Sequence, residues 1–159
     1  MNKKILFIQP TIYDDKNKLV KKHKQYFVGL AHPLLAALLP EGWSAELCME
    51  ITEKIPYDTD ADVIGIGGVG HAAKRAKDIA IEFKKRGKIV FMGGPMVSLV
   101  PELAKEYCDA VMIGDSEETI KELCHDIERG ELKPFYEKPI TNLSTPLPRY
   151  DLVVNKRIG

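Results

Sequence analysis

The stretch Asp62-Val63-Ile64-Gly65-Ile66-Gly67-Gly68-Val69-Gly70 decides how this chain is read, because an apolar run of strand character passes straight into a glycine-rich turn. The pattern recurs at Ile89-Val90-Phe91-Met92-Gly93-Gly94-Pro95 and at Ala110-Val111-Met112-Ile113-Gly114-Asp115-Ser116, each time followed by a helix-like segment. Glycine has no Cβ, so backbone turning there takes positive φ freely and lies close against a ligand. Three such turns at the carboxyl ends of parallel strands would pave one edge of an open α/β sheet, the edge where such sheets bind ligands. The chain therefore reads as a binding platform before any catalytic residue is found.

Outward from these turns, the apolar run at 5–9 is a first strand bounded by Pro10, and 11–25 is a polar, lysine-rich connection. An apolar helix is expected over 27–39, stopped at Pro40-Glu41-Gly42, and a second strand over 45–49. Strands at 63–67, 89–92 and 110–113 alternate with helices at 72–86, 97–107 and 116–129. In the first of these helices Ala76, Ile79, Ala80 and Phe83 share one face, with Gly87 closing it. Ser116, followed by Glu117 and Glu118, suits the start of the last helix. The order βαββαβαβα with right-handed crossovers predicts a doubly wound α/β sandwich, its five-stranded, mainly parallel sheet carrying helices on both faces.

A length of 159 residues suits one domain with a real core, expected over 1–130. Beyond it, Pro134, Pro139, Pro146 and Pro148 recur among polar residues, which marks 131–159 as an extended linker. The 23 basic and 23 acidic residues cancel, which argues against nucleic acid as a partner. No apolar stretch approaches the roughly 20 residues that span a bilayer, so no membrane association is expected. The start, Met1-Asn2-Lys3-Lys4 before Ile5-Leu6-Phe7-Ile8, is too short for a signal peptide and makes the cytoplasm the default location. Cys48, Cys108 and Cys124 are far apart and show neither a disulfide framework nor metal-ligand spacing.

Gly65-Ile66-Gly67-Gly68-Val69-Gly70 matches G-x-G-x-x-G. A dinucleotide fold needs a carboxylate about 20 residues on to hold the ribose, and Met92-Gly93-Gly94-Pro95 stands there instead. A phosphoryl-receiver domain needs an acidic cluster after the first strand, where Gln9-Pro10-Thr11-Ile12 stands. A Walker loop is absent.

The remaining pattern resembles the cobalamin-binding domain at the N-terminus of many radical SAM enzymes. Its carriers are Ile8-Gln9-Pro10, Gly29-Leu30-Ala31 with Leu35-Ala36-Ala37-Leu38-Leu39-Pro40, and Asp60-Ala61-Asp62-Val63-Ile64-Gly65-Ile66. Others are Met92-Gly93-Gly94-Pro95 with Val100-Pro101-Glu102, the run Ala110 to Thr119, and Leu147-Pro148-Arg149-Tyr150-Asp151-Leu152. The resemblance implies a flavodoxin-like fold and a cobalamin whose corrin lies on the strand-end turns, with its nucleotide tail between the sheet and a helix. The residues it assigns to the cofactor are Gln9, Pro10, Thr11, Gly67, Gly68, Val69, Gly70, His71, Gly93, Gly94, Pro95, Gly114, Asp115 and Ser116. Asp-x-His-x-x-Gly, whose His ligates cobalt in many relatives, is missing, so cobalamin is expected without a protein His ligand. Gly67 or Gly68 stands where a Ser or Thr often follows the third strand.

His71 is read either as facing the ligand or as an exposed first-turn residue, His32 as a satisfied core or boundary histidine, and Tyr13 as a candidate contact to the upper corrin face. The chain has no Cys-x3-Cys-x2-Cys, so a 4Fe-4S cluster and S-adenosylmethionine are expected only in a missing C-terminal radical SAM domain, the implied partner. No catalytic residue is expected here. The rival readings are a ligand-free regulatory or interaction module of the same fold and a nucleotide-binding (NAD or FMN) domain.

Overall fold

The computed structural model describes residues 2–141 and 144–159; Met1, Asn142 and Leu143, read as part of the basic start and of the linker, lie outside them. The strands are β1 (Lys3–Gln9), β2 (Trp43–Met49), β3 (Val63–Gly67), β4 (Ile89–Gly93), β5 (Ala110–Met112) and β6 (Phe135–Tyr136). The helices are α1 (Ala31–Ala37), α2 (Ala73–Lys85), α3 (Pro95–Ser98), α4 (Pro101–Lys105) and α5 (Ile120–Arg129). The strands form one sheet in the order β2-β1-β3-β4-β5-β6, and every neighbouring pair is parallel. A parallel sheet is buried on both faces, which is why its strands are apolar almost throughout.

Alternation along the strands sorts side chains to the two faces. Leu6, Ile8, Ile64, Ile66, Val90 and Met92 pack with Ala76, Ile79, Ala80 and Phe83 of α2 and with Met96, Val97 and Ala104 of α3 and α4. Ile5, Phe7, Val63, Phe91 and Met112 pack on the other face with Ala36 of α1 and with Ile120, Leu123, Cys124 and Ile127 of α5. The fold is thus the expected flavodoxin-like, doubly wound α/β sandwich. The three cysteines are buried free thiols, each pushed up to about 12 by burial.

The sheet has six strands where the sequence predicts five. The sixth lies within the segment read as linker: Val111 donates to the Pro134 carbonyl at 2.9 Å and Ile113 to that of Tyr136 at 2.8 Å. The Tyr136 hydroxyl donates to Asp126 at 2.8 Å, fastening β6 to α5. Further on, Val153 is buried against the α1/α5 face. The Arg149 amide bonds the Pro33 carbonyl at 2.9 Å, Gln25 bonds the Arg157 carbonyl at 2.8 Å, and Gly159 returns a bond to Gln25 at 3.0 Å. This closing segment holds the loop before α1.

Three helices differ from expectation. The one expected over 97–107 is broken into α3 and α4, because Val100 precedes Pro101 and takes extended φ −140°. The last begins at Ile120 instead of 116, after a turn in which the Ser116 carbonyl accepts the Thr119 and Ile120 amides at 3.2 and 2.9 Å. The first spans only Ala31–Ala37, and Phe27, read as helical, stands 87% exposed before it.

Candidate functional site

Because all strands are parallel, their carboxyl ends share one edge, and the turns after β1, β3, β4 and β5 meet there. Together with the loop before α1 they bound an open cavity of about 1160 Å³. Of the residues expected at the site, Gln9, Pro10, Thr11, Gly67, Gly68, Val69, His71, Gly93, Gly94, Pro95, Gly114, Asp115 and Ser116 line it, and Gly70 does not.

The β3 and β4 turns pack backbone against backbone. Gly94 has φ +87°, and a Cβ there would stand 3.0 Å from the Gly68 carbonyl oxygen. Gly67 and Gly93 are paired in register at the ends of their strands, leaving a flat floor. A Cβ on Gly93 would meet nothing closer than 3.6 Å, whereas one on Gly67 would stand 2.7 Å from His32 Nε2. Ser98 ties the next turn in: its Oγ donates to the Gly94 carbonyl at 3.0 Å and accepts the Gly114 amide at 3.0 Å. The Gly114 amide is therefore engaged within the protein and not turned to a ligand.

The β1 turn is held by charged side chains. Buried Glu50 accepts the Thr11 amide at 3.0 Å and the Arg75 guanidinium at 2.5 and 2.9 Å. The carboxylate raises the pKa of Arg75 against the opposing desolvation. The Thr11 hydroxyl donates to the Val20 carbonyl at 2.6 Å, so it too is used internally. Tyr13, expected as a contact, is absent from the cavity lining, and its hydroxyl bonds Asp78 of α2 at 2.6 Å.

The inner wall was not legible as a site. Phe7 and Phe91 flank Gly65 in register, and their rings meet edge to face at 6.3 Å over it. A Cβ at Gly65 would lie 2.5 Å from the Phe91 ring, so a strand-interior glycine here signals close approach. His32 of α1 is tilted against Phe7 at 5.6 Å. It is buried and lines the cavity, and burial alone holds its imidazole down to about 4, hence neutral at pH 7. The expectation of a satisfied histidine is corrected, since His32 makes no hydrogen bond to a described residue. His71 is exposed and also lines the cavity. From the long loop, Lys22, Lys24, Gln25, Tyr26 and Phe27 complete the wall, and the Gln25 Oε1 is buried without a hydrogen-bond partner.

Among the described residues no helix is long and apolar enough to cross a membrane. No family model matches the chain, and no solved structure matches it. It is 35% identical over 138 residues to a bacteriochlorophyllide d C-8(2)-methyltransferase of Chlorobaculum tepidum, a match covering 84% of this chain and 29% of that protein. It is 34% identical over 99 residues to the C-12(1)-methyltransferase of the same organism, covering 59% of this chain and 22% of the relative. An uncharacterised methyltransferase of Pyrococcus horikoshii is 33% identical over 135 residues, covering 71% of this chain and 29% of the relative. The chain spans less than a third of the length of these relatives. By sequence it is thus homologous to part of proteins named as methyltransferases.

Proposed function

We propose that the chain is the cobalamin-binding part of a radical SAM methyl-transfer protein. The observation that carries this reading is the open cavity of about 1160 Å³ floored by Gly67, Gly68, Gly93 and Gly94. Pockets for ordinary small ligands hold ~300–1,000 Å³, so this one suits a macrocycle with appended groups. The paired glycines present a floor without side chains, as the face of a flat ring requires. Exposed Lys22 and Lys24 offer cations for a phosphate.

Bound cobalamin would supply a cobalt able to carry a methyl group. The chain's own residues bind and orient: the turns after β3 and β4 hold the floor, Ser98 fixes the β5 turn against it, and the Glu50–Arg75 pair fixes Pro10 and Thr11 beside it. Tyr26 and Phe27, both exposed, stand along the loop wall as apolar surface for a bound ring. The cluster and S-adenosylmethionine chemistry belongs, in this reading, to a partner radical SAM domain.

Titration with hydroxocobalamin, followed by its visible spectrum, tests the reading. Saturable binding is expected, and Gly93→Val should abolish it while leaving the fold intact, as circular dichroism would check, because a Cβ there meets nothing closer than 3.6 Å. A folded wild-type chain that leaves the spectrum unchanged overturns the proposal and favours the ligand-free module. Stabilisation by NAD or FMN in its place would favour the nucleotide reading.

A further inference from the structure

The loop wall of the cavity is pinned at both ends by the same distant segment. Before the wall, Gln25 donates its amide to the Arg157 carbonyl at 2.8 Å and accepts the Gly159 amide at 3.0 Å, in an isolated parallel bridge with Ile158. After it, the Pro33 carbonyl in the first turn of α1 accepts the Arg149 amide at 2.9 Å. Residues 149–159 are themselves moored to the sheet and helices. Val153 is buried against the α1/α5 face, and the Lys156 ammonium donates to the Leu47 carbonyl and to the Glu53 carboxylate at 2.6 Å each. Among the described residues none of 149–159 lines the cavity.

Between the pins little else holds the wall. The Phe27 carbonyl accepts the Gln25 side-chain amide at 2.5 Å, and among the described residues no backbone amide of 26–30 donates to a backbone carbonyl. Tyr26 and Phe27 line the cavity yet stand 71% and 87% exposed. Residue 159 also meets the wall through a side chain, since a Cβ on Gly159 would lie 2.7 Å from the Tyr26 ring. A loop with so few bonds of its own takes its arrangement from its attachments.

We infer that residues 149–159 form a regulatory strap that positions the 26–30 wall, so that the attachment of the strap sets how tightly the cavity holds a ring. A wall already held in the binding-competent arrangement needs no further ordering when the ligand arrives. A loosened wall has to be ordered by the ligand, and the apparent affinity falls by the fraction of time the wall is in place. An event at 149–159 thus reaches the cavity without touching it. Its effect on hydroxocobalamin rests on the corrinoid reading, whereas its effect on the mobility of the wall does not.

Deleting 157–159 removes the bonds to Gln25 and spares Val153, Lys156 and the Arg149–Pro33 bond. Lys156→Met loosens the strap from β2 and leaves the wall itself unaltered. A nitroxide on Phe27→Cys reports the wall directly, because Cys48, Cys108 and Cys124 are buried. With folding checked by circular dichroism, the deletion should narrow the nitroxide lines and weaken hydroxocobalamin binding about tenfold. Lys156→Met should do both to a smaller extent, and it carries the test should the deletion fail to fold. Where Tyr26→Ala and Phe27→Ala are combined, the deletion should weaken binding by no more than about twofold, since no wall side chain is left to position. Unchanged nitroxide lines overturn the inference. So does undiminished affinity in the deletion variant, or a tenfold loss that persists without Tyr26 and Phe27. If the folded wild-type chain does not bind hydroxocobalamin, the corrinoid reading falls and the line shape alone decides: narrowing keeps the strap, and no change overturns it.

Discussion

Two turns that line the cavity on either side of β3 are held by opposite means. The β1 turn depends on side chains: a buried carboxylate, Glu50, takes an amide of the turn and a guanidinium of α2 at once. The β4 turn depends on the lack of one, since Gly94 rests on the backbone of Gly68 with φ +87°. The first turn fails when a charge is lost and the second when a carbon is gained. One binding edge therefore has two independent modes of failure, and each can be provoked without the other.

The largest effect is expected from Gly94→Val. A backbone conformation hostile to L side chains adds to a Cβ placed 3.0 Å from a carbonyl oxygen, and together they should destabilise by about 4 kcal/mol in urea unfolding. Next comes Glu50→Ala. It strands Arg75, whose side chain is 12% exposed, and leaves the Thr11 amide unpaired, at a cost of about 3 kcal/mol. Glu50→Gln should recover part of this, because an amide oxygen still accepts from Thr11. If Glu50→Ala proves neutral, the contrast between the turns collapses.

Between these turns, at the end of β3, stands His32. Its folded pKa is lowered to about 4 by burial, below the unfolded value of about 6.5. The unfolded chain then binds the extra proton first, so stability is fully present above pH ~6.5 and declines as pH falls toward ~4. The loss should be on the order of 2 kcal/mol, and His32→Leu should remove this part of the acid dependence in thermal unfolding measured from pH 7 to 4. Ser98→Ala, which frees the Gly94 carbonyl and the Gly114 amide, should cost about 1 kcal/mol. Smallest is Gly93→Ala, whose methyl finds ordinary contacts of 3.6 Å or more and should shift stability by less than about 0.5 kcal/mol. A large loss at Gly93 would mean that the floor resists any side chain, and would erase the distinction between Gly93 and Gly94.

Glycine turns are local signals, which is why the floor was legible from the sequence at Gly67, Gly68, Gly93, Gly94 and Gly114. The inner wall was not, because Phe7, Phe91 and His32 reach it through strand register and helix packing, and no short motif encodes that. Gly65 was the one clue, an interior strand glycine that two aromatic rings require. Ser98 escaped notice because its role depends on the break between α3 and α4. That break was written in Val100-Pro101, where the residue before proline leaves the helical region. The sixth strand was hidden for a different reason: Phe135–Tyr136 is too short to show a period and owes its place to β5 and to the Asp126–Tyr136 bond. Histidines remained ambiguous in sequence because burial, not position, decides their role.

The bonds between Gln25 and the residues 157 and 159 give the molecule a built-in reporter. Gln25 belongs to the cavity wall, so a ligand that orders this wall also steadies the segment clipped to it. Occupancy should then be readable far from the floor, as slower protease cleavage or slower amide exchange over residues 149–159, before any spectrum of the ligand is recorded.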